Sequence, residues 1–476
     1  MQITSFMFFG LFSLVYIFLY FIDRNIESEA KAIVASNCVL LIASYLFVAY
    51  ADYICAFVLA GLSISTWFFA QKKGTTTIGI IIAILALAFF KYMNFFVDSF
   101  TRLMGNDYMS LKIILPLGIS FYTFSAIGYL IDVRREKIKS KNLINVALYL
   151  AYFPKITSGP IQKSNDFFSQ IERKRIIGWN TFSTGIQIFT IGLFKKIVLA
   201  DRLSVFVNQV YDTPLAFGSG TVFLATLAYS LQIYFDFSGY SDMAIGISRM
   251  IGIELPRNFN LPYLSHNTTE FWKRWHITLS LWLQDYVYIS LGGNRKGTVR
   301  TYTNLVLTML IGGLWHGANL TYVIWGGLHG IALVIHKLWM KGLSTADKEH
   351  SILGNALAIV FTFLFTNLCW VFFRAESLEK AFIIIKRILS FEEGVSQPYM
   401  WFFVALIMLS IASAVALYRS KKNTGNSPRK NISFVDGYYP IVKLESFWGL
   451  VIFFVFWGLI LCWAYTGGSP FIYGTY

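Results

Sequence analysis

The chain of 476 residues is 56% apolar and only 14% charged, and its mean hydropathy is +0.57. Soluble domains usually carry about a quarter charged residues, so this composition excludes a soluble globular domain and predicts a protein surrounded by membrane lipids. The net charge of +15 does not indicate nucleic-acid binding. The Lys and Arg residues stand in short clusters between apolar runs, which is typical of the cytoplasmic loops of membrane proteins.

A helix that crosses the bilayer needs about 20 mostly apolar residues. The sequence predicts an all-α polytopic membrane protein in which about 11–13 helices cross or re-enter the membrane. Two shorter apolar stretches, residues 143–157 and 239–252, are predicted to re-enter the membrane or to pack against other helices. The candidate spans are residues 5–22, 32–50, 53–70, 77–97, 113–131, 183–200, 220–237, 303–315, 321–340, 354–374, 400–418 and 447–465.

Basic clusters orient these spans. Lys72 and Lys73 follow the third span, and the cluster from Arg134 to Lys141 follows the fifth, so both clusters fall on one side, which the excess of Lys and Arg predicts to be cytoplasmic. Counting from there, and from the basic loop 419–430, both termini are predicted to be extracytoplasmic. The chain has no repeat and no Pro/Gly/Ser-rich linker, which predicts a single integral membrane domain over residues 1–476.

Ionisable side chains within spans are costly and indicate functional sites. The first group lies in a segment rich in Ser, Gly and Tyr, where Tyr240 stands between Asp236 and Asp242. These residues could line a polar substrate path, or the two carboxylates could accept hydrogen bonds at a helix break near Gly239. For each Asp taken alone, the structural role is preferred.

The second group runs from Glu270 to Tyr286. At 100° per residue, one sector of about 80° collects an aromatic and apolar stripe, which predicts an amphipathic helix with its aromatic rings at the level of the lipid head groups. The stripe leaves His276 at its border unexplained, and a packing role and a functional role stay equally open for it. The stripe consists of Trp272, Trp275, Leu279, Trp282 and Tyr286.

The third group centres on His316, which ends an apolar run and is flanked by three glycines. Small residues let a helix or a ligand approach the backbone closely, and an imidazole can take a proton near neutral pH. We therefore favour a functional His316 over a hydrogen-bonded packing histidine. His329 repeats the pattern in the next segment, and Gly317 and Asn319 are predicted to interrupt the helix between them.

At these residues the sequence resembles the membrane-bound O-acyltransferase superfamily, and within it the branch of the alginate and peptidoglycan O-acetylation membrane subunits. The resemblance places a family core at about residues 90–340, followed by C-terminal helices over 354–465. The matching segments are FKYMNFF from Phe90, LPLGISFYTF from Leu115, SGPI from Ser158, FDFSGYSDMAIG from Phe235, PRNFNLPY from Pro256, EFWKRWHITLS from Glu270, LGGNRKG from Leu291 and GGLWHGAN from Gly312.

The resemblance implies helices around a central tunnel, with His316 of the WHG motif as a catalytic residue. It also makes His276 of the RWH motif, 40 residues earlier, the favoured second catalytic residue. No metal is implied. Supporting residues of the substrate tunnel are predicted to be Asp236, Tyr240, Asp242, Trp275, Trp315, Asn319 and His329.

The implied activity is the transfer of an acyl group, acetyl above all, from a cytoplasmic thioester donor across the bacterial cytoplasmic (inner) membrane. The product is an O-acetylated extracytoplasmic polysaccharide. Acetyl-CoA is the expected donor, and no tightly bound cofactor is expected. Because the sequence shows no soluble extracytoplasmic catalytic domain, the expected partner is a separate periplasmic or surface SGNH-type acetyltransferase.

Two alternatives stay open. A related D-alanyl exporter for teichoic-acid D-alanylation would use an acyl carrier protein as donor, although the chain length and the LGGNRKG segment favour the acetyl branch. A proton-coupled transporter or flippase would use the intramembrane Asp and His residues as a relay. The sequence also departs from the branch at Gln284, where Arg is common, and at Ser290, which replaces a proline.

Overall fold

Helices dominate the computed structural model, which describes residues 3–104, 113–342, 351–423, 442–467 and 471–472. Within these ranges no strand forms, apart from an isolated bridge between Phe217 and Val395. The predicted all-α architecture is confirmed. The helices are α1 Phe6–Asn25, α2 Glu29–Ala51, α3 Tyr53–Ala70, α4 Thr76–Leu103, α5 Ile119–Arg134, α6 Leu143–Ala151, α7 Ser164–Ile171, α8 Trp179–Leu193, α9 Asp201–Asp212, α10 Ser219–Met250, α11 Thr268–Arg274, α12 Ile277–Trp282, α13 Thr298–His316, α14 Leu320–Gly342, α15 Ile352–Arg374, α16 Leu378–Leu389, α17 Met400–Asn423 and α18 Phe447–Trp463.

Several helices begin at a polar side chain that accepts a hydrogen bond from the first turn. Ser5 accepts from the Phe8 N–H at 3.3 Å, Asp52 from the Ile54 N–H at 2.7 Å, and Ser351 from the Gly354 N–H at 3.0 Å. The first N–H groups of a helix have no partner within the helix. Such caps therefore give these N–H groups a partner within the chain.

Seven helical stretches in the described residues are long and apolar enough to cross a membrane, and Met400–Ile411 and Phe447–Trp463 are shorter apolar helices. The predicted spans 113–131, 220–237 and 303–315 fall on α5, α10 and α13, which are shorter or more polar. The seven stretches are Phe6–Asn25, Glu29–Ala51, Tyr53–Ala70, Lys73–Val97, Trp179–Asp212, Leu320–Gly342 and Ile352–Arg374.

Helix α10 corrects one expectation. It runs without interruption through Gly239, so the predicted helix break is wrong, and residues 239–250 continue this helix instead of forming a separate re-entrant segment. A Cβ at Gly239 would lie 2.8 Å from the Gly192 carbonyl oxygen. This glycine therefore serves close packing against the end of α8, where the chain continues as a π-helical segment, Phe194–Ala200.

The chain forms two compact units. One contains Met1–Ile191 with Tyr240–Pro256, and the other contains Gly192–Gly239 with Arg257–Ile472. The organisation as a single membrane domain over residues 1–476 stays a prediction.

In the first unit, the basic loops that follow α3 and α5 contact each other. Lys73 forms an ion pair with Glu136 at 2.5 Å, and the Gln71 side chain donates to the Lys141 carbonyl at 3.4 Å. Both clusters therefore lie on one side, as the spacing of the spans predicts. That this side is cytoplasmic stays a prediction, and residues 424–430 of the late basic loop lie outside the described residues.

In the second unit, α13 and α14 form a tight antiparallel pair built on glycines. A Cβ added at Gly326 would lie 3.1 Å from the Met309 carbonyl carbon and 3.3 Å from the Gly313 Cα. Glycine thus lets the two backbones approach closely, which is typical of helix pairs in membranes.

Replacing Gly326 by Ala should lower the thermal unfolding midpoint of the detergent-purified protein, because overpacking a tight contact costs about 1–3 kcal/mol. The matched control is Gly327→Ala on the adjacent residue, where a Cβ meets only the Leu310 Cδ2 at 3.6 Å. Equal midpoints for the two variants in a thermal-shift measurement would contradict this account of the helix pair.

Candidate active site

His316 is the last residue of α13 and is enclosed by aromatic rings. Its side chain is buried, and its ring centroid lies 4.9 Å from that of Trp315, 5.0 Å from that of Phe373 and 5.1 Å from that of Trp325. Residues from α13, α14 and α15 thus form the wall around this imidazole.

The glycines next to His316 make room for α14. A Cβ at Gly317 would collide with the Tyr322 ring, and one at Gly313 would collide with the Tyr322 backbone. α13 ends before Gly317, and α14 begins after Asn319, whose Oδ1 accepts from the Thr321 N–H at 3.0 Å. The predicted interruption is confirmed. The Asn319 side chain also donates to the Glu376 carbonyl at 2.8 Å, so its contacts in the structure are to the backbone.

His276 lies between two short helices, which corrects the prediction of one continuous amphipathic helix. α11 ends at Arg274, α12 begins at Ile277, and His276 itself has a left-handed backbone with φ +41°. All five residues of the stripe are buried within the protein, so the stripe packs inside the fold and is not an exposed face of an amphipathic helix; its depth in the membrane stays a prediction. Trp275, for example, lies 4.9 Å from Trp370 between ring centroids.

Asn258 holds this break in place. Its Oδ1 accepts from the Thr278 hydroxyl at 2.6 Å and lies 3.3 Å from the His276 Nδ1, and its carbonyl accepts from the Ile277 N–H at 2.9 Å. Burial lowers the pKa of His276 to about 3. The imidazole is therefore neutral at physiological pH and suited to hydrogen bonding, not to carrying a positive charge.

Trp315 brings the two histidines into one ring cluster. Its ring lies 6.3 Å from His276 and 4.9 Å from His316, and Phe237 packs edge-on against His276 at 4.6 Å, all between centroids. The 40-residue spacing of the two motifs therefore converges on one place in the second unit. The catalytic roles of the two histidines stay predictions.

His329 joins the same cluster from α14. Trp272 donates its indole N–H to the His329 Nδ1 at 3.3 Å, and the His329 ring lies 5.1 Å from Trp325. Trp325 therefore contacts both His316 and His329.

Asp236 takes part in a buried charge cluster. Lys196 Nζ lies 2.6 Å from Asp236 and 2.8 Å from Asp201, and the other Asp236 oxygen accepts from the Ile472 N–H at 2.8 Å. This geometry agrees with a structural role for Asp236. Its chain neighbour Phe237 is the residue that contacts His276.

Tyr240 and Asp242 belong to the first unit. The Tyr240 hydroxyl shares a short hydrogen bond with Thr157 and lies 3.4 Å from the Pro154 carbonyl, and Asp242 is buried. The histidine cluster belongs to the other unit, and the place of Tyr240 and Asp242 in a substrate tunnel stays a prediction.

A cavity of about 360 Å³ adjoins the RWH motif in the second unit. Trp272, Ile277 and Met309 form part of its apolar wall, while Lys273 and Gln284 contribute polar groups. Gln284, which departs from the branch pattern, therefore faces a space next to the candidate site.

Sequence reasoning missed three residues of the cluster as individual candidates: Asn258, Trp325 and Phe373. Asn258 lies in the PRNFNLPY segment, which matched the family, but its amide side chain is not ionisable. Trp325 stands one helical turn before His329, a spacing of four residues that places both on one helix face. Phe373 offered no local signal, because it ends an apolar run over residues 368–373 of α15.

The fold and the site first define a class: a multi-pass membrane protein whose buried histidines share one aromatic cluster. The comparison with known families names it. Residues 2–373 match the membrane-bound O-acyltransferase family, MBOAT, and the chain belongs to that family. It is therefore an acyltransferase, and the transporter or flippase hypothesis is left without support.

Among its relatives, the chain is similar to the probable alginate O-acetylase AlgI of Pseudomonas putida, with 42% identity covering 72% of this chain and 73% of that protein. It is also 40% identical to a peptidoglycan O-acetyltransferase of Helicobacter pylori, over 67% of this chain and 65% of that protein. A teichoic acid D-alanyltransferase of Streptococcus thermophilus is more distant, with 32% identity that covers 54% of this chain and 68% of that protein.

Replacing Lys196 by Met should lower the unfolding midpoint strongly, because two buried carboxylates lose this cation and breaking a buried ion pair costs about 3–5 kcal/mol. The control is Lys195→Met, the same change at a half-buried neighbour in the same segment. A thermal-shift comparison checks this, and a Lys196→Met protein as stable as the control would show that the charge cluster does not hold the helices.

Proposed function

We propose that this protein transfers an acetyl group from cytoplasmic acetyl-CoA towards an extracytoplasmic polysaccharide, which becomes O-acetylated. Family membership supports the O-acyltransfer, and the names of the alginate and peptidoglycan relatives support acetyl as the group and a glycan as the final acceptor.

The observation that carries the proposal is the buried His316, joined to His276 through Trp315. Acyl transfer to a hydroxyl needs a general base and a site that excludes water. In the proposed step, His316 takes the hydroxyl proton as the acceptor oxygen bonds to the thioester carbonyl carbon. The carbon–sulfur bond then breaks, and the thiolate takes the proton, so an ester and a free thiol result.

His276 serves this step as a neutral hydrogen-bonding group that positions the acyl carbonyl or the acceptor. Its contact with Asn258 supports a fixed ring orientation. The neighbouring cavity of about 360 Å³ supports space for part of a substrate beside the RWH motif.

The acetyl group leaves towards a separate periplasmic or surface SGNH-type acetyltransferase, in the proposed orientation with both termini extracytoplasmic in the bacterial inner membrane. The contact between the two basic loops supports a single basic side, which we assign to the cytoplasm. No tightly bound cofactor enters the scheme.

D-alanyl transfer from a carrier protein is the second candidate, supported by the match to the teichoic acid D-alanyltransferase. The lower identity, 32% against 40–42%, makes it the weaker one.

Replacing His316 by Ala should reduce polysaccharide O-acetylation on the order of 100- to 10,000-fold, the usual contribution of a general base. The measurement is the acetate released by mild base from envelope and secreted polysaccharide of a deletion strain that carries each variant. Ester-linked D-alanine is measured in the same samples and would identify the second candidate.

The matched control is His336→Ala on α14, which removes a half-exposed histidine bonded to Thr269 at 2.8 Å. Membrane insertion and amount are checked by immunoblot. Wild-type acetate in the His316→Ala strain, at equal protein levels, would refute the assignment of His316.

A further inference from the structure

Trp325 carries a buried indole N–H that its surroundings do not satisfy. The side chain is 1% exposed, and in the part of the chain that the structure describes its Nε1 has no hydrogen-bond partner. An indole nitrogen is a donor only. Aromatic rings of His316, His329 and Phe373 lie 5.1–5.3 Å from the Trp325 ring, between centroids.

His329 carries a second such donor. Because the Trp272 indole can only donate, the His329 Nδ1 that it contacts at 3.3 Å must be the accepting nitrogen. In the neutral imidazole the hydrogen is then on Nε2. That atom is buried and has no hydrogen-bond partner among the described residues. Its neighbours Phe271, Trp325 and Phe365 present rings and no acceptor.

Two buried donors without acceptors destabilise the folded protein, because each unpaired polar group away from water costs free energy comparable to that of a lost hydrogen bond. Both occur in the ring cluster of His316, on adjacent turns of α14. A buried polar group without a partner calls for an explanation, and a catalytic role is one of the known explanations. By contrast, the Trp272 N–H donates to the His329 Nδ1 and is therefore not one of the unpaired donors.

We propose that the Trp325 Nε1–H and the His329 Nε2–H bind the acyl carbonyl oxygen and stabilise the oxyanion that forms during transfer. The assignment rests on the proposed function. When the acceptor oxygen bonds to the carbonyl carbon, the carbonyl electron pair moves to this oxygen, and it returns as the carbon–sulfur bond breaks. The two N–H groups keep their protons throughout. His316, in contact with the Trp325 ring, takes the proton of the acceptor hydroxyl whose oxygen bonds to the same carbonyl carbon.

The test uses inverted membrane vesicles that contain each full-length variant, with radiolabelled acetyl-CoA as the probe and label in polymer as the readout. Trp325→Phe keeps an aromatic ring and removes the N–H. It should lower kcat on the order of 100- to 1,000-fold, the usual effect of one oxyanion donor, and leave KM for acetyl-CoA within about twofold. The matched control is Trp339→Phe, the same change at an exposed position of α14.

His329 provides the second comparison. His329→Gln offers one acceptor to Trp272 and one N–H to the substrate, whereas His329→Leu offers neither. We expect His329→Gln to retain at least tenfold more activity than His329→Leu at similar unfolding midpoints. If Trp325→Phe proves unstable, this pair decides alone, because a merely structural role of His329 would not give two equally stable variants different activities.

Two kinetic outcomes overturn the assignment of the two N–H groups. Kinetics of Trp325→Phe equal to those of Trp339→Phe, or equal kcat for His329→Gln and His329→Leu, would mean that the two donors do not contact the carbonyl. Absence of label in polymer with the wild-type protein would refute the proposed acetyl transfer itself, and with it the role of the two N–H groups. The wild-type vesicles thus distinguish the two failures.

Discussion

A polar group inside a membrane protein has to find its partner within the protein, because the hydrocarbon core offers no water. The cluster of the second unit depends on this constraint. Lys196 is held between two carboxylates, Asn258 satisfies the chain break at His276, and the His329 imidazole accepts from Trp272. The Trp325 and His329 N–H groups have no acceptor among the described residues, and in our account a substrate oxygen accepts from both.

Aromatic packing gives the histidines their chemical setting. Rings of Trp315, Trp325 and Phe373 enclose His316, and Phe237 and Trp315 fix His276. Such a wall excludes water and strengthens electrostatic interactions inside it. The glycines of α13 and α14 serve the same end indirectly, since they let two backbones approach closely enough for these rings to meet.

Hydropathy predicted the seven helical stretches that are long and apolar enough to cross a membrane, and the histidine among glycines made His316 a catalytic candidate, because both signals are local. Other features depend on contacts between distant residues. The chain break at His276 is held by Asn258, 18 residues away, and periodicity therefore predicted a continuous helix. Gly239 packs against Gly192 instead of ending α10, and only the tertiary contact distinguishes these roles. Trp325 became a candidate because its buried N–H has no hydrogen-bond partner among the described residues, and no sequence pattern predicts this.

The most direct test of the central claim, that His316 transfers acetyl from one side of the membrane towards the other, compares sealed vesicles of opposite orientation. Radiolabelled acetyl-CoA is added outside inverted and right-side-out vesicles that retain their polysaccharide. The account predicts labelled polymer inside inverted vesicles with wild-type protein, and none with His316→Gln or in right-side-out vesicles. Equal labelling in both orientations, or undiminished labelling with His316→Gln, would contradict it.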